Sequence, residues 1–120
     1  MKFVTKEIHA YLDYPVAILL AVAPFVLSLG TSHPAALWLS VTTGIAAFIL
    51  TVLTDHHLGV WRVVPYALHL AVDAMVGVVF IAAPFVFGFT GLDAWYYWAL
   101  GGTVLIVVNA HQPDSNAATA

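Results

Sequence analysis

Two histidine–aspartate pairs are the residues of this chain best suited to chemistry. His9 precedes Asp13 by four positions, and His69 precedes Asp73 by the same spacing. Residues four apart lie on one face of a helix, so each pair presents an imidazole beside a carboxylate. Both pairs lie in apolar stretches, where a carboxylate is costly unless it finds a partner or faces the interior of a helix bundle.

These two pairs allow three kinds of chemistry and one structural role. If their helices face each other, two imidazoles and two carboxylates would meet and could hold a divalent metal such as zinc or iron. The histidines could instead be axial ligands of a haem, oriented by the aspartates, or the group could relay protons. In the structural alternative, each aspartate accepts a hydrogen bond from a histidine and the pairs fix helix packing. The first expectation is that no cofactor is bound, with a divalent metal or a haem as the alternatives.

The rest of the sequence carries little other chemistry. His56 and His57 are weaker candidates for the same metal, because the side chains of adjacent residues point in different directions. There is no Walker loop, nucleophile elbow or HExxH pattern, so we expect no enzyme activity. Three basic residues stand against six acidic ones without a basic patch, which argues against nucleic-acid binding. Cysteine is absent.

The elements that must position the pairs follow from the composition. Hydrophobic residues make up 62% of the 120-residue chain and charged residues 8%, too little polar surface for a soluble domain. The natural surroundings of this chain are therefore a lipid bilayer. Stretches of about 17–24 residues are long enough to cross it as helices, whose backbone groups are satisfied internally. Four such stretches are visible, at about 8–29, 35–54, 66–89 and 94–110.

The chain repeats itself at a spacing of 60 residues. The first copy contains His9, Asp13, Val16, Ala23, Pro24, Phe25, Val26, Trp38 and Thr43, which recur as His69, Asp73, Val76, Ala83, Pro84, Phe85, Val86, Trp98 and Thr103. Each copy holds two crossings, so the copies insert in the same direction about a pseudo-two-fold axis along the membrane normal. We predict an all-α integral membrane protein with four transmembrane helices, formed by two parallel helical-hairpin repeats. A single domain, 1–120, would comprise repeat 1 at about 8–54, repeat 2 at about 66–110 and a disordered tail at 112–120.

Three residues are assigned to the helix ends. Pro24 and Pro84 fall near the far ends of the first and third helices, where each removes a backbone hydrogen bond and is predicted to kink its helix. Asp93 is predicted to cap the fourth helix.

The repeated motif resembles a known family. His-x3-Asp is followed by an apolar run and then by a small residue, proline, an aromatic residue, two further residues and serine or glycine. This pattern resembles the SPW repeat proteins, small bacterial membrane proteins named for Ser-Pro-Trp, and the linker from Leu53 to Pro65 is similar to theirs. Here both copies read Ala-Pro-Phe, at residues 23–25 and 83–85. The resemblance covers roughly residues 8–110 and implies the membrane fold but no particular activity.

Orientation and function are predicted from the few charges and the small size. Lys2, Lys6 and Arg62 all lie on the side of the two termini, which the positive-inside rule places in the cytoplasm of a bacterium with the chain in its inner (plasma) membrane. The leading prediction is a small non-catalytic structural or accessory protein, forming a homo-oligomer or a subunit of a larger membrane complex. The alternatives are a metal- or haem-binding membrane protein that uses the duplicated pairs, and a proton-linked channel or carrier.

Overall fold

Four helices make up the described part of the chain. A computed structural model describes residues 4–55 and 58–110. Its helices are α1 at Lys6–Val26, α2 at Ala35–Leu53, α3 at Tyr66–Phe87 and α4 at Gly91–Asn109, and these residues contain no strand. Each helix is long and apolar enough to cross a membrane, which confirms the predicted fold class. The predicted disordered tail at 112–120 lies outside the described residues.

The helices pair into two hairpins. The backbones of α1 and α2 pack closely, as do those of α3 and α4, whereas the two hairpins approach each other less closely. The end at which α1 and α3 begin is called the linker end, and the opposite end the loop end. At the linker end, Val64 N donates to Leu53 O over 2.8 Å, and Val4 N donates to Ala110 O over 2.9 Å. The segment that precedes each hairpin is therefore tied to the end of the other hairpin.

The helix starts carry residues that favour them. Thr5 precedes α1 and its hydroxyl caps the first turn, while Pro34 and Pro65 precede α2 and α3, where a missing amide proton costs nothing. The prediction that Asp93 caps α4 is wrong, because Thr90 occupies that position and Asp93 is the third residue of the helix. The Asp93 carboxylate instead accepts hydrogen bonds from the loop of the first hairpin.

Pro24 and Pro84, predicted to kink their helices, lie in the last turns of α1 and α3, and both helices continue through them. A proline leaves the carbonyl four residues earlier without its helical donor. In α1 that carbonyl belongs to Leu20, and Ser40 Oγ of α2 donates to it over 2.8 Å. The proline thus exposes an acceptor through which α2 is joined to α1.

The first helix of each hairpin ends on a left-handed residue. The amide five positions beyond the proline donates to the proline carbonyl, over 2.9 Å in α1 and 3.0 Å in α3, as in a Schellman-type helix end. The residue before that amide has a positive φ, 53° at Ser28 and 72° at Gly88. Glycine adopts this conformation without strain, whereas a residue with a Cβ is strained in it, at a cost in conformational free energy of about 1 kcal/mol.

We expect Ser28→Gly to stabilise the protein by about 1 kcal/mol, because the substitution removes that strain. Gly88→Ala is the reverse experiment. Its Cβ would meet nothing within 4 Å, so its cost should be conformational alone and of similar size. Denaturant-induced unfolding in a mild detergent measures both changes, and a loss of stability in Ser28→Gly would contradict the interpretation.

The contacts between the two helices of each hairpin do not follow the 60-residue spacing of the sequence repeat. Gly44 lies against the backbone of Ala17, Leu20 and Ala21, and Gly101 lies against Gly77, Phe80 and Ile81. The residues that they contact are 60 positions apart, but the two glycines are 57 apart. Compared with the position of α2 along α1, α4 is therefore shifted along α3 by three residues, which is nearly one helical turn. The connection between α3 and α4, residues 88–90, is shorter than the 27–34 connection of the first hairpin.

A buried core joins the two hairpins at the loop end. The rings of Phe80 and Tyr97 lie 4.6 Å apart between centroids, and Tyr97 Oη donates to Ala36 O of α2 over 2.7 Å. Tyr96 Oη lies 2.6 Å from Ser40 Oγ. Because the Ser40 proton is directed at a carbonyl, Tyr96 is the donor in this pair. These contacts connect α3 and α4 to the first hairpin.

Candidate metal centre

Four side chains from α1 and α3 meet near the linker end. They are His9, Asp13, His69 and Asp73, and one ligand atom from each lies within 4.8 Å of the others. We call this group the His/Asp cluster. Both histidines are buried, with 3% and 1% of their surface exposed, and both aspartates are largely buried. The structure therefore brings together all four residues that the sequence singled out.

Each imidazole of the His/Asp cluster contacts both carboxylates through Nε2. His9 Nε2 lies 3.0 Å from Asp13 Oδ1 and 2.8 Å from Asp73 Oδ2. His69 Nε2 lies 3.3 Å from Asp13 Oδ2 and 3.3 Å from Asp73 Oδ2. Two of these contacts lie within a helix and two cross between helices, so the cluster forms a closed ring that joins the hairpins.

The spacing of these atoms is close to that of a tetrahedral metal site. Ligands 2.0–2.1 Å from a zinc ion lie about 3.3 Å from one another at the corners of a tetrahedron. Four contacts of 2.8–3.3 Å are near this value. Asp13 uses a different oxygen towards each histidine, and one ligand atom from each residue lies within 4.8 Å of the others, so the side chains must adjust their positions to hold a cation. Imidazole nitrogen and carboxylate oxygen suit zinc or iron, and a divalent cation would balance the two carboxylates.

Thr54, which follows α2, sets the orientation of one imidazole. Its Oγ1 lies 2.6 Å from Leu50 O and 2.6 Å from His69 Nδ1. A carbonyl only accepts, so the hydroxyl proton goes to Leu50 and His69 donates from Nδ1 to Thr54. In the neutral ring the Nε2 lone pair then faces the centre of the His/Asp cluster. Metal-bound histidines are held in the same way, with one nitrogen donating to a fixed acceptor and the other on the metal.

Tyr66 forms one wall of the cluster. Its ring centroid lies 5.9 Å from that of His9 and 6.3 Å from that of His69, and Lys6 Nζ lies 5.2 Å from it. Sequence reasoning assigned neither Tyr66 nor Thr54 to the His/Asp cluster. The position of Tyr66, three residues before His69, was an available signal because such residues share a helix face. Thr54 follows α2, in the other hairpin, and gave no local signal.

The geometry does not fit a haem. A haem with two axial histidines needs its flat macrocycle between the two imidazoles. The rings of His9 and His69 have centroids 5.7 Å apart and are nearly perpendicular. The carboxylates of Asp13 and Asp73 contact both Nε2 atoms, so they occupy the space that a porphyrin would need.

The other histidines do not add to this site in the described part of the chain. His56 and His57, the weaker metal candidates, lie outside the described residues. His33 lies at the loop end, where its Nδ1 accepts a hydrogen bond from Ala35 N over 2.9 Å. It therefore supports the start of α2 and serves as a control for experiments on the cluster.

A cavity of about 650 Å³ separates the hairpins on the loop-end side of the His/Asp cluster. We call it the central cavity. Its walls come from all four helices and are mostly apolar, with Val16, Leu19, Leu50, Val76, Leu100 and Val104 among the residues that line it. Thr43, Thr51 and Thr103 also line it, and each hydroxyl donates to a carbonyl one turn earlier in its own helix.

Comparison with known protein families identifies the family of this chain. The profile of the SPW repeat domain matches residues 7–111, a range that contains all four helices and the whole His/Asp cluster. The chain belongs to the SPW repeat family. This match confirms the resemblance inferred from the repeated motif, and SPW membership together with four membrane-spanning helices fits an integral membrane protein. Comparisons with curated proteins and with solved structures give no match.

Proposed function

We propose that this SPW protein is a non-catalytic structural or accessory protein of the bacterial inner membrane, in which the His/Asp cluster holds a divalent cation. The observation that carries the proposal is the closed ring of contacts from His9 and His69 to Asp13 and Asp73. A cation at its centre would join α1 to α3 and thereby one hairpin to the other.

The number of ligands favours a structural site over a catalytic one. Structural zinc sites are closed by four protein ligands, whereas catalytic sites keep one position open for water or substrate. The His/Asp cluster offers two imidazoles and two carboxylates. The hairpins otherwise approach each other less closely than the helices within them. A cation bound at the linker end would therefore strengthen the association of the two hairpins.

Orientation and partners are part of the same proposal. Lys6 begins α1 and Arg62 lies in the linker between the hairpins, so positive charge gathers at the linker end, which the positive-inside rule assigns to the cytoplasm. Large apolar side chains are exposed on all four helices. Such faces contact lipid and can also pack against a second copy or another membrane subunit, as expected for a homo-oligomer or an accessory subunit.

A proton-linked channel or carrier has less support. Such a protein needs a path of polar groups or water that continues beyond its titrating residues. The space next to the His/Asp cluster is the central cavity, whose walls are mostly apolar. Three of the four threonines that line it, Thr43, Thr51 and Thr103, already donate their protons to their own helices.

Elemental analysis tests the proposed cation. Protein purified from its native membrane without chelators should carry about one divalent cation per chain, as a closed four-ligand site predicts. We expect His69→Gln and Asp13→Asn each to lower the bound metal at least tenfold, because each removes a ligand. After chelation, added Co²⁺ should give the visible absorption of a four-coordinate site in the wild type but not in these two variants.

Two further variants make this experiment specific. His33→Gln removes a histidine at the loop end and should leave the metal content unchanged. Thr54→Val keeps all four ligands but removes the acceptor of His69 Nδ1, and loss of such a partner typically weakens metal affinity by about 10–100-fold. A wild-type protein that neither carries a divalent cation nor takes up Co²⁺ would refute the proposal.

A further inference from the structure

The linker between the hairpins carries an exposed apolar patch beside the end of α2. Val60, Trp61 and Val63 are 66%, 66% and 73% exposed, and Arg62 between them is the one charged residue of the group. A single exposed apolar side chain is ordinary, whereas several gathered at one place mark a surface that contacts something apolar. We call residues 60–63 the linker patch.

The backbone of the linker patch is bonded to the last turn of α2. Two carbonyls at the end of that helix, those of Val52 and Leu53, accept four hydrogen bonds of 2.8–3.1 Å from amides of this segment. The donors are Val60, Trp61, Val63 and Val64. Earlier in the linker, Leu58 O accepts from Tyr14 Oη of α1 over 2.7 Å. The linker is therefore held beside both helices of the first hairpin.

These hydrogen bonds set the depth of the linker patch in the membrane. α2 contains 19 residues, about 28 Å at a rise of 1.5 Å per residue, and the hydrocarbon layer of a bilayer is about 30 Å thick. The end of α2 therefore lies near the boundary between acyl chains and head groups. Ile49, one turn before that end, is 54% exposed, so lipid-facing side chains continue almost to the end of the helix. The linker patch extends this surface into the head-group layer.

The side chains of the linker patch suit that layer. Tryptophan combines a large apolar ring with an N–H donor and is enriched where hydrocarbon meets water. Val60 and Val63 gain free energy when their exposed surface leaves water. Arg62, whose Nε donates to Gly59 O over 3.2 Å, has a long side chain that can cover apolar surface while its charged end reaches lipid phosphates.

We infer that the linker patch inserts into the head-group layer of the phospholipid bilayer, with Val60, Trp61 and Val63 towards the acyl chains. The bilayer is the partner because the patch is bonded to the end of a membrane-spanning helix and continues its lipid-facing surface. The linker then anchors the first hairpin at a fixed depth. This inference does not depend on the proposed cation, since residues 60–63 contribute no ligand to the His/Asp cluster.

Spin labels at single cysteines measure the depth of the linker patch. The chain contains no cysteine, so full-length Val60→Cys and Val63→Cys each carry one nitroxide after labelling. In phosphatidylcholine liposomes, the collision rate of the label with O₂ is divided by its collision rate with a water-soluble nickel chelate. We expect this ratio to be about threefold or more above that of Asp55→Cys, because apolar O₂ concentrates in lipid and the chelate in water. Asp55 is the matched control, since it is exposed in the same linker, and Ile49→Cys gives the value for a lipid-facing site.

Ratios at Val60→Cys and Val63→Cys no higher than at Asp55→Cys would overturn the inference and leave the patch in water, open to a protein partner. Trp61 gives a second measurement without a cysteine, since the other three tryptophans lie in the loop-end halves of α2 and α4. The emission lost in Trp61→Phe should be quenched at least twofold by phosphatidylcholine brominated in the upper part of its acyl chains. Absence of this quenching would also count against insertion. Both measurements are made after chelation, so a failure of the proposed cation site leaves their results unchanged.

Discussion

Gly44→Val should lower the free energy of unfolding by about 3 kcal/mol, at the upper end of what overpacking costs. A Cβ at Gly44 would lie 2.6 Å from Ala21 N and 2.8 Å from Ala17 O. Both are backbone atoms of α1, so no side chain can rotate to make room and the two helices must separate. Because small residues allow such close helix contact in membranes, the whole first hairpin should loosen.

Gly102→Val is the matched control for this substitution. A Cβ at Gly102 would meet nothing within 4 Å, so we expect its effect to stay within about 0.5 kcal/mol of zero, as for an exposed site. SDS-induced unfolding in mild detergent, followed by tryptophan fluorescence, compares the two variants. Equal losses of stability would show that the close approach of α1 and α2 at Gly44 is not a source of stability.

Asp93→Ala should destabilise the loop end by about 3 kcal/mol, because buried donors each lose about 1 kcal/mol or more without their acceptor. Asp93 is 1% exposed. Its Oδ1 accepts from Gly30 N over 2.9 Å, and its Oδ2 accepts from Ser32 N over 3.0 Å and from the Ser32 hydroxyl. The substitution removes these bonds between α4 and the loop of the first hairpin.

Two variants show whether the loss at Asp93 comes from these bonds. Asp93→Asn keeps one oxygen acceptor at nearly the same volume and should cost clearly less than Asp93→Ala. Asp55→Ala removes an exposed carboxylate and should change stability by less than about 0.5 kcal/mol. Thermal unfolding in detergent provides the measurement, and a small effect of Asp93→Ala would contradict the proposed link.

The helices and the four residues of the His/Asp cluster could be predicted from local patterns in the amino-acid sequence. Helix length and hydropathy are local properties, so four apolar stretches were enough to predict four membrane-spanning helices. The spacing of His9 and Asp13, repeated at His69 and Asp73, was enough to place each pair on one helix face. The resemblance of the repeated motif to SPW proteins rested on equally local patterns.

How the helices and the His/Asp pairs meet could not be predicted in this way, because it depends on tertiary packing. Whether α1 and α3 face each other depends on packing between whole hairpins, and only that packing brings the two pairs into one ring of contacts. Thr54, just after α2, contacts His69 from the other hairpin, and Asp93 accepts hydrogen bonds from a distant loop rather than capping its own helix. The shift of α4 relative to α2 and the central cavity have the same origin. Each depends on distances between helices, which arise from contacts among residues far apart in the chain and so leave no periodic signal in the sequence.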